Sequence, residues 1–585
     1  MNLVFDIEAD GLNPTKIFCI VAQDVDTGDV LTFDVTQLEE GYELLRAADK
    51  LIGHNIIGYD LPAIKTVAGI DLSKNKKIVD TLVLSRLFHP TREGGHGLES
   101  WGYRLKFNKG EYGQNEDAWD AYCHEMLEYC KRDVELNTKV YMELRKESRG
   151  FTPTAVNLEH SVAKIIDEQR RNGFELDMQK AMLLVALFQE KLAATEAEVH
   201  ETFKPKVTTQ ILKPQYTKSG GLAKVAKNQH DKGVRMTDDE YAEMLISDKP
   251  VKRETHIEFN LGSRKQIGEY LIEAGWTPKN FTPTGQPIVD EGTLNKVKDI
   301  PEAALIAKYL MLQKRLAQVN SWIKAVEDDG RVRGYVNPNG AVTGRMTHSH
   351  PNMAQIPSTN SPYGKECRSC WTVKSGNKLV GIDASGLELR MLAHYMNDKE
   401  YTNEILNGDI HSANQRLAGL ESRNQAKTFI YAFLYGAGNA KIGSVVKAGQ
   451  SRGKQLREQF LNSLPSLKSL IQRVQRDSKK GFLKGLDGRK VMVRSEHAAL
   501  NTLLQSAGAI VMKEALVILD KKIRHLDAKF VANVHDEWQI ECPEEHAKQV
   551  GDAGIEAIVE AGKNLNLNCP LDGDYNIGDG WHETH

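Results

Sequence analysis

The chain has 585 residues, too many for one hydrophobic core, and its 41% apolar and 26% charged residues exclude a disordered or fibrous protein. A net charge of −3 neither selects nor excludes a polyanionic partner, because only the local distribution of charge steers one. Seven scattered cysteines, an odd number, argue against a disulfide framework, and no run approaches the roughly 18 apolar residues of a membrane helix.

Residues 1–150 alternate short strands (3–7, 17–23, 31–34) with helical stretches (61–68, 80–88, 117–144), an α/β pattern. The first strand ends Asp6-Ile7-Glu8, and period two puts Asp6 and Glu8 on one face, able to reach the same cation. Further acids stand in His54-Asn55-Ile56-Ile57-Gly58-Tyr59-Asp60 and in Tyr129-Cys130-Lys131-Arg132-Asp133, where Tyr129 and Asp133 share a helix face. Four acids from three elements, with a phenol to orient water, fit metal-assisted phosphodiester hydrolysis. Asp80 reads instead as a helix N-cap.

A long amphipathic helical pattern runs from about 157 to 203, broken at Arg171-Asn172-Gly173. Residues 204–235 then hold seven Lys and one Arg against the single acid Asp231, a net +7 in 32 residues, with Pro205, Pro214, Gly220 and Gly221 as breakers. Such a field suits phosphate or an acidic partner, and a mobile solvated loop fits equally well. Helical patterns resume over 261–325. Cys367 and Cys370 have C-x-x-C spacing, but no nearby Cys or His pair completes a tetrahedral site, so they read as ordinary thiols.

An apolar strand, Leu379-Val380-Gly381-Ile382, ends in Asp383, and Gly386-Leu387-Glu388-Leu389-Arg390 opens a helix. In the helical block of 397–480, Arg423, Lys427, Tyr431 and Tyr435 recur every four residues and form one stripe, offering two cations to a triphosphate and two rings to a base. Near the C-terminus, His535-Asp536-Glu537 lies between two apolar runs, as the tip of a hairpin. Two adjacent carboxylates at a tip repel each other, and divalent metal is the natural compensation. Asp383 and Asp536 would share two ions roughly 3.5–4 Å apart, the clamp for in-line attack on phosphorus.

Together these strings resemble the family A (Pol I-like) DNA polymerases, in their T-odd phage replicative form. The likeness runs almost end to end and is densest in Asn337-Pro338-Asn339-Gly340-Ala341-Val342-Thr343-Gly344-Arg345, in the Asp383 and Lys427 segments, in Leu504-Gln505-Ser506-Ala507-Gly508, and around Asp536. It implies a multi-domain α/β fold: an RNase H-like 3′–5′ exonuclease at 1–150, then linking helices and thumb at 151–335 with a basic insertion at about 204–257. A palm with an antiparallel sheet would follow at 336–396 and 501–585, and helical fingers at 397–500.

By the same likeness, Asp383, Asp536 and the backbone of Ala384 hold the polymerase metals, and Asp6, Glu8, Asp60 and Asp133 those of the exonuclease, with Tyr129 assisting. His411, Arg423 and Lys427 hold the incoming triphosphate, and Lys427 serves the leaving group. Tyr431 lies against sugar and base, Tyr435 and Ala384 line the nucleotide site, and Glu388 blocks a ribose 2′-hydroxyl. Arg345 and Gln505 read the minor groove near the primer end, and His535 touches the primer.

The implied cofactor is Mg2+, two per site, with Mn2+ as substitute. The implied partners are primer–template DNA and dNTPs, a phage primase-helicase, a single-stranded DNA-binding protein and host thioredoxin at a shortened insertion. No membrane is involved, and the setting is the cytoplasm of an infected bacterium. Because the chain opens directly on the exonuclease strand, no 5′ nuclease is expected. The alternative from another class is a catalytically inactive, polymerase-like DNA-binding replication factor. A stand-alone exonuclease would not require the fingers stripe, and a single-subunit RNA polymerase would not require Glu388.

Overall fold

Alternation along Asn2–Ala9 decides the N-terminal architecture. Leu3, Phe5 and Ile7 enter one core with Leu45, Leu61 and Ile64, while Val4 enters another with Met126, Cys130 and Val134. Asp6 and Glu8 take Val4's side, so the helix His124–Glu147 lies against them. The computed structural model describes residues 1–110, 112–114 and 118–585. Asn2–Ala9 is the central strand of five, antiparallel to Ile17–Asp24 and parallel to Lys50–Gly53, with Val30–Phe33 and Lys77–Asp80 at the edges. The four-residue strands at Lys50–Gly53 and Lys77–Asp80 are too short to show a period in sequence. The helix expected over 117–144 occupies His124–Glu147; position 117 lies outside the described residues.

The chain divides into one unit of Met1–Asp177 with Ala325–His585 and a second of Met178–Lys324. The helix Pro153–Asn172, grouped with the thumb in the sequence reading, belongs to the first unit. Two of its consecutive residues face different neighbours. Glu159 is buried between the Lys513 ammonium (2.7 and 2.9 Å) and Arg489 (2.6 Å), which also binds Asp487. His160 accepts the backbone N–H of Asp80 at Nε2 (2.9 Å) while Nδ1 meets the Val156 carbonyl oxygen.

In the same unit, Lys529–Val534, Glu537–Pro543, Asn377–Ala384 and Gly573–Gly578 form a fully antiparallel sheet in that order. Helix Ala547–Asn564 lies close on it because Gly551 and Gly554 have no side chain; a Cβ there would come within 2.4 Å of Tyr575 and Ile382 respectively. The helical run Glu496–Leu526 is long and apolar enough to cross a bilayer, unlike the sequence expectation. It is a core rod instead, 72% buried over its most apolar window. The helices between Lys399 and Ser478 join that core through Phe429, Phe433, Phe460 and Leu467.

In the second unit the helices Met178–Thr202 and Pro301–Lys324 pack on each other. Val199, Phe259, Tyr270, Trp276 and Leu310 make its main core. The loop alternative for 204–235 does not hold. Lys206–Leu212, Val225–Lys227, Gly233–Arg235 and Val251–Ile257 are strands, and with the helix Asp238–Ser247 they enclose a small core of Leu212, Ala226, Met236, Met244 and Val251. Two of the strands have three residues each, too short to show an alternation in sequence.

Candidate functional site

The hairpin around Asp536 is tighter than its sequence suggests. His535 and Asp536 are the two-residue turn, with His535 in the left-handed region (φ 58°), and Glu537 already belongs to the next strand. The reading of two carboxylates at one tip is therefore corrected. Strand alternation turns Glu537 inward, where it accepts from Trp581 Nε1 and Gln539 Nε2 (2.6 Å each), pairs with His585 Nδ1 (2.8 Å) and lies 3.8 Å from Arg368. Its charge is satisfied by protein, and only Asp536 is presented outward.

Asp383 stands across from Glu537 on one side and Asp574 on the other. Ala384 N–H donates to the Asp536 carbonyl oxygen (3.2 Å), which brings the strand end beside the turn. Desolvation by the surrounding protein and repulsion from Asp536 and Glu537 push the Asp383 carboxyl up to about 7. Desolvation also raises Asp536, against the pull of Arg345 and His535. Asp574, exposed and accepting from Ser385 Oγ (3.0 Å), is an acid that sequence reasoning missed. Its short C-terminal strand shows no motif that could have marked it.

Above these acids, Glu388 accepts from Tyr435 OH at both oxygens (2.7 Å) and pairs with Arg345 (3.1 Å). Tyr431 stacks on Tyr435 with centroids 6.4 Å apart, and the His411 ring is 6.3 Å from Tyr431. The helix Arg423–Leu434 bears the expected stripe, with Tyr435 as its C-cap. Lys427 is exposed with no ion pair among the described residues, whereas Arg423 binds Asp409 at 2.6 and 3.1 Å. Gln505 lies half-buried in the long helix Ala499–Ile523, and His535 is exposed.

The second centre is the N-terminal one. Ligand atoms of Asp6, Glu8 and Cys130 lie within 4.8 Å of one another. Asp60 accepts from Ile7 N–H (3.2 Å), which fastens the start of its helix to the central strand. Asp133, on the helix that carries Tyr129, has one oxygen 2.6 Å from Lys109 Nζ and the other buried without a hydrogen-bond partner among the described residues. Burial is the main cause that raises all four acids, Glu8 to about 9 and Asp60 to about 7. Cys130 is raised well above the usual thiol range by burial, so it stays a neutral neighbour. Lys109, 5.0 Å from the Tyr129 ring, escaped sequence reasoning because nothing local distinguishes it from any other lysine. Asp80 caps the helix Thr81–Phe88 as expected, and its oxygens also accept Asn55 and Ile57 N–H.

Residues 232–583 match the model of DNA polymerase family A. The chain is 36% identical to the DNA-directed DNA polymerases of Enterobacteria phage T3 and Escherichia phage T7, over 703 residues covering the whole of each partner. It is 29% identical to DNA polymerase I of Aquifex aeolicus over 54% of this chain and 58% of that one. The fold superposes on the polymerase domain of Pol1 from M. smegmatis, solved in complex with DNA primer-template and dNTP. The TM-score is 0.76 at 18% identity, over 99% of this chain and 95% of that one. The multi-domain α/β architecture, RNase H-like domain plus right-hand polymerase, is thus the one expected. By full-length kinship as well as by fold, the chain belongs to DNA polymerase family A and is a DNA-directed DNA polymerase of the T7-like phage type.

Proposed function

We propose that the chain couples DNA synthesis at the Asp383/Asp536 centre to 3′–5′ removal of mispaired primer ends at the Asp6/Glu8/Asp60/Asp133 centre. One observation carries the reading: four buried or half-buried acids act on one another, Asp133 pairs with Lys109, and the other Asp133 oxygen has no hydrogen-bond partner among the described residues. These hard oxygen donors fit Mg2+, with Mn2+ as substitute. When bound, the ions neutralise charge on the attacking and leaving oxygens. Asp383, Asp536 and the Ala384 carbonyl would hold them at one centre, and Asp6, Glu8, Asp60 and Asp133 at the other.

The substrates are primer–template DNA and dNTPs. Lys427 is free to meet the triphosphate, with His411 beside it. Arg423 reaches the triphosphate by giving up Asp409. Tyr431, braced by Tyr435, walls the sugar and base. Glu388, clamped by Arg345 and Tyr435, holds a carboxylate where a ribose 2′-hydroxyl would intrude. Arg345, Gln505 and His535 follow the primer end. In the exonuclease centre, Tyr129 orients the attacking water. An editing site answers a physical shortfall, since a difference of about 1–3 kcal/mol in pairing gives only roughly 10–200-fold selection. Primase-helicase, single-stranded DNA-binding protein and thioredoxin are partners proposed on kinship alone.

The test is a primer with a mismatched 3′ end, incubated with and without dNTPs. The expected outcome is trimming without dNTPs, and trimming followed by extension with them. A mismatched end that stays intact under both conditions overturns the proofreading half and leaves synthesis from a matched primer to be judged separately.

A further inference from the structure

The backbone that leads into Lys109 is fastened to the helix His124–Glu147 at two successive residues. The Arg132 guanidinium lies 3.5 Å over the Phe107 ring, and its Nε donates to the Asn108 carbonyl oxygen (3.0 Å). Phe107 N–H in turn donates to the Gly102 carbonyl oxygen of the preceding helix Leu98–Leu105 (2.9 Å). Lys109 follows at once, so a long and flexible side chain starts from a fixed root. Its Nζ reaches Asp133 Oδ2 at 2.6 Å, lies 5.0 Å from the Tyr129 ring centroid and interacts with the Tyr129 phenol. Tyr112 and Trp119 pack against that ring, with centroids 5.8 and 6.1 Å away.

This ion pair is built unlike one that serves stability. At Glu159, which ties one helix to the long core rod, a buried lysine engages both carboxylate oxygens. At Asp133 the lysine engages one. Oδ1 is buried with no hydrogen-bond partner among the described residues, and an orphaned buried acceptor is a net cost to folding. The Lys109 charge also acts on Asp6 and Glu8, so the pair belongs to the acid cluster and is not a separate surface contact.

We propose that Lys109 is a positioning residue of the N-terminal centre: it holds Asp133 by one oxygen, so that the other is left to a divalent ion, and steadies the Tyr129 phenol with the same ammonium. The inference rests on the reading of this centre as an editing site. The residue type follows from the task. An ammonium is a compact point charge whose three hydrogens can serve separate acceptors, here a carboxylate oxygen and a phenol. A guanidinium in its place would take both carboxylate oxygens side by side and leave none for metal. Partners that orient a metal ligand from behind are worth about 10–100-fold in metal affinity or activity. The rival account makes Lys109 a counter-charge that holds the acids together in the absence of ions, and such a cation competes with metal.

The two accounts differ in the sign of one measurement. Lys109→Met and Lys109→Arg are made in the full chain carrying Asp383→Ala, which disables the other metal centre. Mg2+ is titrated while the melting temperature is read, and trimming of a mismatched primer is followed over the same range. Positioning predicts that each substitution raises the Mg2+ concentration for half-effect about 10–100-fold, in melting and in trimming alike. A counter-charge predicts that Lys109→Met lowers it and that Lys109→Arg leaves it unchanged. Either of those results, or an unchanged midpoint in Lys109→Met, overturns the proposal. Synthesis from a matched primer by the same substitutions without Asp383→Ala reports that they fold. If melting of the centre with Lys109 intact answers to Mg2+ while mismatched ends stay whole, the editing role alone is overturned, and the melting midpoints still decide the part played by Lys109. Melting that does not respond to Mg2+ at all overturns both.

Discussion

The two carboxylate centres are built on opposite terms. At the Asp383 centre the acids stand at strand ends, Asp383 and Asp574 are exposed, and the one buried acid nearby, Glu537, is fully engaged by protein donors. At the N-terminal centre Glu8, Asp60 and Asp133 are only 8%, 2% and 3% exposed. A site that must admit a duplex and a triphosphate stays open at the Asp383 and Asp574 side chains, even though the surrounding protein partly desolvates Asp383. The N-terminal centre encloses its acids, and their burial favours the protonated forms. The sealed centre should therefore be the more sensitive to pH and to chelation, and the open one to the loss of a single acid.

The sharpest way to break this comparison is to remove one acid from each side. Asp383→Ala is expected to lower primer extension about a thousandfold or more, since a metal ligand supplies several kcal/mol to the transition state, while degradation of single strands continues. Asp6→Ala with Glu8→Ala should give the converse. Loss of both activities in either variant would mean that the centres are not separable.

Next in size is the pH response of the metal-free protein. The folded-state pKa values of Asp6, Glu8 and Asp60 lie above their unfolded values, so the folded state binds more protons, and stability falls as pH rises from about 4 through about 9. In chelator, melting of the N-terminal domain should drop by several degrees between pH 6 and 9, and saturating Mg2+ should restore it. Glu8→Gln should flatten the curve. A flat curve for the unaltered protein would show that these acids are ionised and already compensated.

A smaller effect is expected from Glu388→Ala, which releases both Arg345 and Tyr435. The ratio of kcat/KM for dNTP over rNTP should fall about 10–200-fold, with dNTP incorporation less affected. Smallest is Asp80→Ala, which removes a helix cap and should cost about 1–2 kcal/mol in denaturant melts, with both activities retained per folded molecule.

Local pattern made the parts of these sites that repeat along the chain readable. The period-two pair Asp6/Glu8, the period-four stripe from Arg423 to Tyr435 and the cap at Asp80 all follow from one element each. What sequence could not deliver comes from pairing between distant strands. Glu537 looks like a twin of Asp536 until the turn is seen to end at residue 536 and the next strand carries it inward. Asp574 becomes relevant only through its register with Asp383, and Lys109 only through its reach to Asp133. The strands within 204–257 escaped because two of them have only three residues, each with a single inward position.

Glu159 and His160 bind one helix to the interiors of both modules, through an ion pair on one side and an imidazole–amide bond on the other. Neither half can swivel against its neighbour without rupturing an anchored contact, so buried contacts hold the span between the two carboxylate centres. For a proofreading enzyme of this build, the decision to edit would rest with the nucleic acid: how many nucleotides unzip from the template sets whether the loose end bridges that fixed gap.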